Sequence, residues 1–339
     1  MDWENTVLKV GAAAVGCAIV FRLLSGGLPQ RILSFLSRPE TAAFVLYLET
    51  GRVVRPSQLR EEREPLPQTA PTEADTPTEA TEPAQPDSQV AVFAPEDAEA
   101  VEVGNLSGLA VDIPALLAQP LTWKLTGDAP TVLILHTHGS ECYADGGEDY
   151  RSLEEAENVV SLGAALGQLL EEAGIRVIHD KTLHDQPSYN DAYVNARQAA
   201  KTYLDDYPSV ALVLDIHRDA VENAGGAQLE KTVTVEGEQA AQLMLVVGTD
   251  AGGLTHPRWQ ENMALAVKLH AQLEALYPGL CRPISLRTQR FNQDLSPGAL
   301  IVEVGAAGNS HREAMRAVEL LAEGIKALAH GAEPALQPG

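Results

Sequence analysis

Between residues 130 and 330 the apolar positions fall into two alternating rhythms. Short β-branched runs predict strands at Thr131–His136, Ile175–His179, Ser209–His217, Leu243–Asp250 and Ala299–Val304, with a more polar one at Ile284–Phe291. Between them, apolar residues recur at helical spacing. Glu154–Ala173 carries Val159, Leu162, Leu166, Leu169 and Leu170 on one face and stops at Gly174, a residue that commonly ends helices. Asp191–Tyr207 precedes Pro208, Trp259–Tyr277 precedes Pro278-Gly279, and Ser310–His330 is the last helix. Strands separated by helices predict an α/β fold: a mostly parallel, twisted sheet with helices on both faces. Within it, Ala220–Gln242 alternates Val233 and Val235 with threonines and reads as an inserted hairpin close to the sheet edge that carries the chemistry.

The chain ahead of that domain changes character three times. Residues 6–24 are apolar except for Lys9 and Arg22, and they reach across a bilayer if those two side chains extend to its interfaces. Residues 1–54 are therefore expected to hold an N-terminal transmembrane helix, with a cleaved or uncleaved signal peptide as the alternative, and a short amphipathic juxtamembrane piece at 41–54. From 55 to 87 the sequence is acidic and rich in Pro, Thr and Ala, which cannot offset its ordering entropy by burial and predicts a disordered linker. Residues 88–128 read as an extension packed on the domain that follows, 129–333. Arg22, Arg31 and Arg38 after the span, against Lys9 before it, would keep the rest of the chain cytoplasmic by charge alone.

Charge narrows the partners. With 24 basic and 47 acidic residues, a formal net charge of −23, the chain lacks the concentrated Lys and Arg that nucleic acid requires. Three cysteines do not build a disulfide framework: Cys17 lies in the apolar segment, leaving Cys142 and Cys281. Cys142 has no basic partner in the sequence that would make it a nucleophile.

The chemistry gathers at strand ends. Val132-Leu-Ile-Leu135 runs into His136-Thr-His138-Gly-Ser-Glu141, Val210-Ala-Leu-Val-Leu-Asp-Ile-His217 ends in a histidine, and Ala299-Leu-Ile-Val-Glu303-Val-Gly305 carries a glutamate. Three strands that deliver His or Glu to the carboxyl edge of one sheet match the place where open α/β sheets build their sites. His138 and Glu141 are three apart, a spacing at which an imidazole and a carboxylate can share one cation, and Zn²⁺ accepts both. His136, one alternation earlier, is a further candidate ligand or a structural residue. Ser140 and Ser296 lack a nucleophile-elbow context.

His136-Thr-His-Gly-Ser-Glu-Cys-Tyr143, Asn158-Val-Val-Ser-Leu-Gly163, Leu214-Asp-Ile-His-Arg-Asp-Ala220 and Arg290-Phe-Asn-Gln-Asp-Leu-Ser-Pro-Gly-Ala-Leu-Ile-Val-Glu-Val-Gly305, in that order, resemble the stage II sporulation protein P family. That resemblance implies a membrane-anchored peptidoglycan hydrolase related to zinc N-acetylmuramoyl-L-alanine amidases. It implies cleavage of stem peptide from glycan, endopeptidase action on cross-links, and septal wall degradation during engulfment together with sporulation proteins D and M. It also implies a catalytic domain outside the cytoplasmic membrane, which is taken over the arginine count. By motif, His138 and His217 become zinc ligands and Glu303 the general base. The third ligand departs from the amidase pattern: Glu141 is favoured, as in zinc carboxypeptidases, with Glu154 and Glu155 as alternatives. Arg218 and Asn292 are candidate substrate contacts, although Arg218 could instead pair with Asp219 and Asn292 could shape a turn. A zinc carboxypeptidase and a catalytically inactive wall-binding scaffold are the competing functions.

Overall fold

Val132–Leu135 (β2) is buried along its whole length and receives helices on both faces, as its unbroken apolar run requires. The computed structural model describes residues 93–121 and 124–330. The expected membrane helix, juxtamembrane piece and linker, residues 1–87, lie outside the described residues. Among those described, no helix is long and apolar enough to cross a membrane.

In chain order the elements are β1 (Val103–Asn105), α1 (Ile113–Ala118), β2, α2 (Val159–Glu172), β3 (Val177–His179), α3 (Ala192–Asp206), β4 (Leu212–Asp219), β5 (Thr232–Val235), β6 (Glu238–Ala241), β7 (Leu243–Val247), α4 (Trp259–Leu276), β8 (Ile284–Leu286), β9 (Ala299–Ala306) and α5 (His311–His330). Seven strands form one sheet in the order β1-β8-β7-β9-β4-β2-β3, and β5 and β6 form a separate antiparallel hairpin turning at Glu236-Gly237. Neighbours in the sheet run parallel, except that β7 runs antiparallel to β9. The mixed α/β fold with a mostly parallel sheet is therefore present, with one reversal at the β7–β9 seam.

Alternation along the strands sorts the core into two layers. Val132, Ile134, Leu212, Leu214 and Ile216 face the layer that holds α2, α4 and α5; Leu133, Leu135, Val213 and Ala299 face Ala196 and Ala200 of α3. Helix α2 starts at Asn158, whose Oδ1 accepts the Val160 N–H at 3.0 Å, and ends before Gly174 at φ 79°. The expected polar strand at 284–291 is shorter than its pattern. It leaves the sheet after Leu286, and Phe291 and Asn292 take left-handed backbone, φ 52° and 62°, in a turn toward β9.

The extension closes the core. Val101, Leu116 and Leu117 are buried in the larger layer. Lys268 of α4, itself buried, donates to the carbonyl oxygens of Leu116 and Leu117 at 2.6 and 2.5 Å, satisfying acceptors that α1 leaves open at its end. The ammonium stands 5.7 Å from the centre of the Phe93 ring, and burial lowers its pKa to about 8.

Candidate functional site

The site is built where the chain changes direction across the sheet: from β2 it crosses to β3 on one side, and from β4 it continues toward the hairpin and β7 on the other. Strands β4 and β9 lie side by side there, and their register sets His217 directly opposite Glu303. Both belong to the odd-numbered positions that face α3. Asp215, two residues before His217, shares that face.

After β2 the chain turns, and the turn is clamped at two points. The N–H of Thr137 donates to Asp215 Oδ1 at 2.7 Å and its hydroxyl to Oδ2 at 2.5 Å. Ser140 makes the same double contact to Asp185 Oδ2, at 3.2 Å from its N–H and 2.5 Å from its hydroxyl. Between these clamps sits His138, and just past them Glu141, whose backbone carbonyl accepts the first N–H of α2, that of Val159, at 2.8 Å. Two buried aspartates thus fix the segment that presents the imidazole and the carboxylate.

The two arms meet. Glu141 Oε2 is 3.3 Å from His217 Nδ1, and the His138 and His217 rings are 5.6 Å apart, edge to face. On its far side His217 Nε2 lies 2.9 Å from Asp215 Oδ1, off the line of the ring N–H. Tyr189, in the short turn before α3, stacks on His138 at 4.2 Å and Tyr193, in the first turn of α3, meets it edge-on at 5.5 Å, so the entry to α3 walls the site with aromatic rings.

Electrostatics follow from burial and neighbours. Burial would raise the Glu141 carboxyl, but His217 and Arg218 hold it down at about 2. Burial would lower His217, yet Asp215 and Glu141 raise it well above the ordinary imidazole value. His138 falls to about 4 through burial and the charge of His217. Glu303 has no equivalent cation in hydrogen-bond contact, and burial lifts it to about 8.

Among the described residues, no three His, Cys, Asp or Glu side chains are already closed around one point as a metal cage. The donors nevertheless fit a cation. His138 Nδ1 and Glu303 Oε2 are buried without hydrogen-bond partners, which is costly for polar atoms unless a ligand satisfies them. The 3.3 Å between Glu141 Oε2 and His217 Nδ1 is about the edge of a tetrahedron with ligand distances near 2 Å. Two nitrogens and a carboxylate are also a donor set that zinc accepts.

The remaining candidates fall elsewhere. Glu154 and Glu155 are exposed, and Glu155 pairs with Lys181 at 2.6 Å, so neither is part of this cluster. His136 continues the even-numbered face of β2, away from His138, because the turn at Thr137 breaks the alternation. Its Nδ1 is 3.1 Å from the Ile216 carbonyl and its Nε2 2.9 Å from His179 Nε2. A Cβ on Gly163 of α2 would stand 2.5 Å from that Nε2, so this helix approaches only because the position is glycine.

Arg218 is corrected as a substrate contact: it is buried, donates to the carbonyls of Cys142 and Tyr150 at 3.0 Å each, and lies 3.7 Å from Glu141 Oε1, so its guanidinium is spent on protein groups. Nor does it pair with Asp219, which binds Arg282 at 2.8 Å. Asn292 is corrected similarly. Its amide nitrogen donates to the Tyr193 carbonyl at 2.8 Å and its oxygen receives Arg197 at 3.5 Å, so it shapes the turn that seats Phe291 beside Tyr193. Cys142 and Cys281 are separate free thiols, both raised in pKa by burial. Sequence reasoning passed over Asp215, Asp185, Arg151, Tyr189 and Tyr193. Of these, Asp215 was accessible through its two-residue spacing to His217.

Among solved structures, the chain is similar to the N-acetylmuramyl-L-alanine amidase Ami1 of Mycobacterium smegmatis (12% identity, TM-score 0.39, covering 61% of this chain and 98% of that one). It is also similar to the N-acetylmuramoyl-L-alanine amidase AmiC2 of Nostoc punctiforme (14% identity, TM-score 0.37, 59% and 97%). Likeness at this level carries no functional argument. Stage II sporulation protein P of Bacillus subtilis (strain 168) is 30% identical over 215 residues, which are 59% of this chain and 51% of that protein, so the chain spans about half the length of this curated relative. The model of the family described as stage II sporulation protein P matches residues 41–326, a span that includes His138, Glu141, His217 and Glu303, and the chain belongs to that family.

Proposed function

We propose that this protein is a zinc-dependent peptidoglycan hydrolase of sporulation, an N-acetylmuramoyl-L-alanine amidase that also cleaves peptide cross-links. The observation that carries the reading is the register pair His217 and Glu303, with Glu141 and His138 alongside and two buried polar atoms, His138 Nδ1 and Glu303 Oε2, left without partners. Family membership supports it. His138, Glu141 and His217 would hold the metal. Zinc in such a site supplies Lewis acidity toward an amide carbonyl and lowers the pKa of water toward about 7.

The protein's own groups do the rest. Glu303, fixed one strand away from His217, takes the proton of the attacking water and returns it to the leaving nitrogen. Asp215 orients His217 from behind, and Asp215 and Asp185 hold the turn that carries His138 and Glu141. Tyr189 and Tyr193 shield the site from bulk water on the α3 side. The protein acts, on this reading, at the septal wall during engulfment, from an N-terminal membrane anchor with its catalytic domain on the extracytoplasmic side, together with sporulation proteins D and M.

A zinc carboxypeptidase is the second reading, and the His138-x-x-Glu141 turn, closed by the Glu141 N–H on the His138 carbonyl at 3.1 Å, favours it because one turn supplies two of the donors. Digestion of purified sacculi by the full-length protein, with and without chelator, separates the readings by mass spectrometry. Intact free stem peptides indicate the amidase, separated cross-links the endopeptidase, and loss of terminal residues alone the carboxypeptidase. Chelator-insensitive release, or none, counts against the proposal.

A further inference from the structure

A cleft of about 390 Å³ opens beside the site, walled by Ser140, Arg151, Leu153, Gln186, Pro187 and Tyr189. It begins at the ring that stacks on His138 and at the residue that precedes Glu141, so anything lying in it is continuous with the site.

Arg151 is held in this cleft in one orientation. Its guanidinium carbon is 4.7 Å from the centre of the Tyr189 ring. Its Nη1 is 3.3 Å from Asp185 Oδ2 and 3.3 Å from the Ser140 hydroxyl oxygen, to which it donates. Asp185 cannot follow the arginine outward, because the same oxygen is engaged by the Ser140 N–H and hydroxyl and the carboxylate is fully buried. The contact of Nη2 is Glu141 Oε1 at 3.7 Å, beyond hydrogen-bond distance. Among the described residues no acceptor lies within hydrogen-bond distance of Nε or Nη2, and the side chain keeps 32% of its surface open. Nη1 is therefore hydrogen-bonded to protein, while the edge made by Nε and Nη2 keeps donors without hydrogen-bond partners, Nη2 facing Glu141, in a plane set by stacking.

The rest of the lining defines what that edge would meet. Arg151 and Asp185 are the charged side chains lining the cleft, and Glu141 Oε1 lies 3.7 Å from Nη2, so the guanidinium stands between two buried carboxylates, one of which a metal held by His138, Glu141 and His217 would compensate. A planar monoanion matches the two remaining donors, whereas a dianion would be left under-compensated. Leu153 and Tyr189 stay 64% and 53% exposed, unusually open for large apolar side chains, and they offer cover for an aliphatic stem beside the acid group.

We propose that this cleft is a peptide subsite in which the free edge of Arg151 receives a carboxylate close to the scissile bond, while Leu153 and Tyr189 cover the aliphatic segment next to it. The assignment rests on the reading of the neighbouring residues as a hydrolytic centre. It transfers the carboxylate-reading role from Arg218, which is buried against protein carbonyls, to an arginine that has donors to give.

The test uses two disaccharide-peptide fragments of peptidoglycan that differ only in whether the carboxylate nearest the scissile amide is free or a carboxamide. Cleavage by the full-length protein is compared with binding to its Glu303→Gln variant, so that the subsite is read even where nothing is cut. The wild type is expected to prefer the free acid by about tenfold or more, expressed in KM and in Kd, as suits the loss of paired charge-assisted hydrogen bonds. Arg151→Met is expected to erase the preference and Arg151→Lys to restore part of it, with zinc content and unfolding midpoint measured on each variant to show that Glu141 and the Ser140 turn are intact. Equal treatment of the two fragments by the wild type, an undiminished preference in Arg151→Met, or no binding of either fragment overturns the subsite. Binding with the expected preference but without any cleavage overturns the hydrolase reading and leaves the subsite standing.

Discussion

Glu303 stands directly across the β9–β4 ladder from His217, so that a carboxylate which burial keeps protonated up to about 8 shares a strand register with a histidine held charged by two other carboxylates. Neighbouring parallel strands place these groups with the precision of the sheet itself, since neither can shift without breaking the ladder. If Glu303 moves the proton and His217 holds the metal, Glu303→Gln lowers turnover by about 10²-fold to 10⁴-fold with zinc content unchanged. Steady-state cleavage of a peptidoglycan fragment, with metal analysis of the same preparation, checks both halves.

His217→Ala and His138→Ala are expected to lose zinc, and chelator treatment of the wild type to abolish cleavage until zinc is restored. Equal zinc stoichiometry in wild type and His217→Ala would remove His217 from the metal centre.

Asp215→Asn tests the support behind that ligand. The carboxylate faces His217 Nε2 at 2.9 Å and accepts two bonds from Thr137, which an amide cannot reproduce at both oxygens. The variant is expected to bind zinc about 10-fold to 100-fold more weakly while remaining folded. Unaltered affinity in a competition titration would reduce Asp215 to a turn clamp.

Gly163→Ala places a methyl group 2.5 Å from His136 Nε2 and 2.7 Å from His179 Nε2. The imidazole pair or α2 must then give way, and overpacking of this kind destabilises by about 1–3 kcal/mol. Urea unfolding followed by circular dichroism would read it as a lower midpoint at constant slope.

Asp180 contributes to acid stability. Burial would raise its carboxyl, but the hydrogen bonds from His184, at 3.0 Å, and from Thr182 lower it to about 2, below its ordinary value of 3.8. A depressed carboxylate stabilises the folded state above its unfolded pKa and loses that contribution as pH falls through the folded one. Asp180→Asn is therefore expected to be less stable than wild type near neutral pH by about 1 kcal/mol after allowance for solvent screening, with the gap closing between about pH 4 and pH 2. A gap that stays constant over that range would show that the ionised form has no special support.

Much of this architecture was legible from patterning, because β2, β4 and β9 are buried on both sides and can be written only in apolar, β-branched residues. His217 and Glu303 are legible for the same reason: polar groups inside or closing such an apolar run are conspicuous. Arg218 was misjudged although alternation already placed it opposite His217. Asp185, Arg151 and Tyr189 lie in irregular chain, where no period links them to the site and only the folded turn at Ser140 brings them together. Alternation alone sets His136 on the same side as His138, whereas the clamp of Thr137 on Asp215 turns the chain between them.

Lys268 has implications for how the molecule can be cut. Its ammonium holds the backbone of Leu116 and Leu117, which lie upstream of the alternating strands and helices. A shortened version starting at residue 129 would remove both carbonyls and bare an apolar face of the core around Lys268. A piece meant to fold on its own therefore keeps α1 together with the strands and helices that follow.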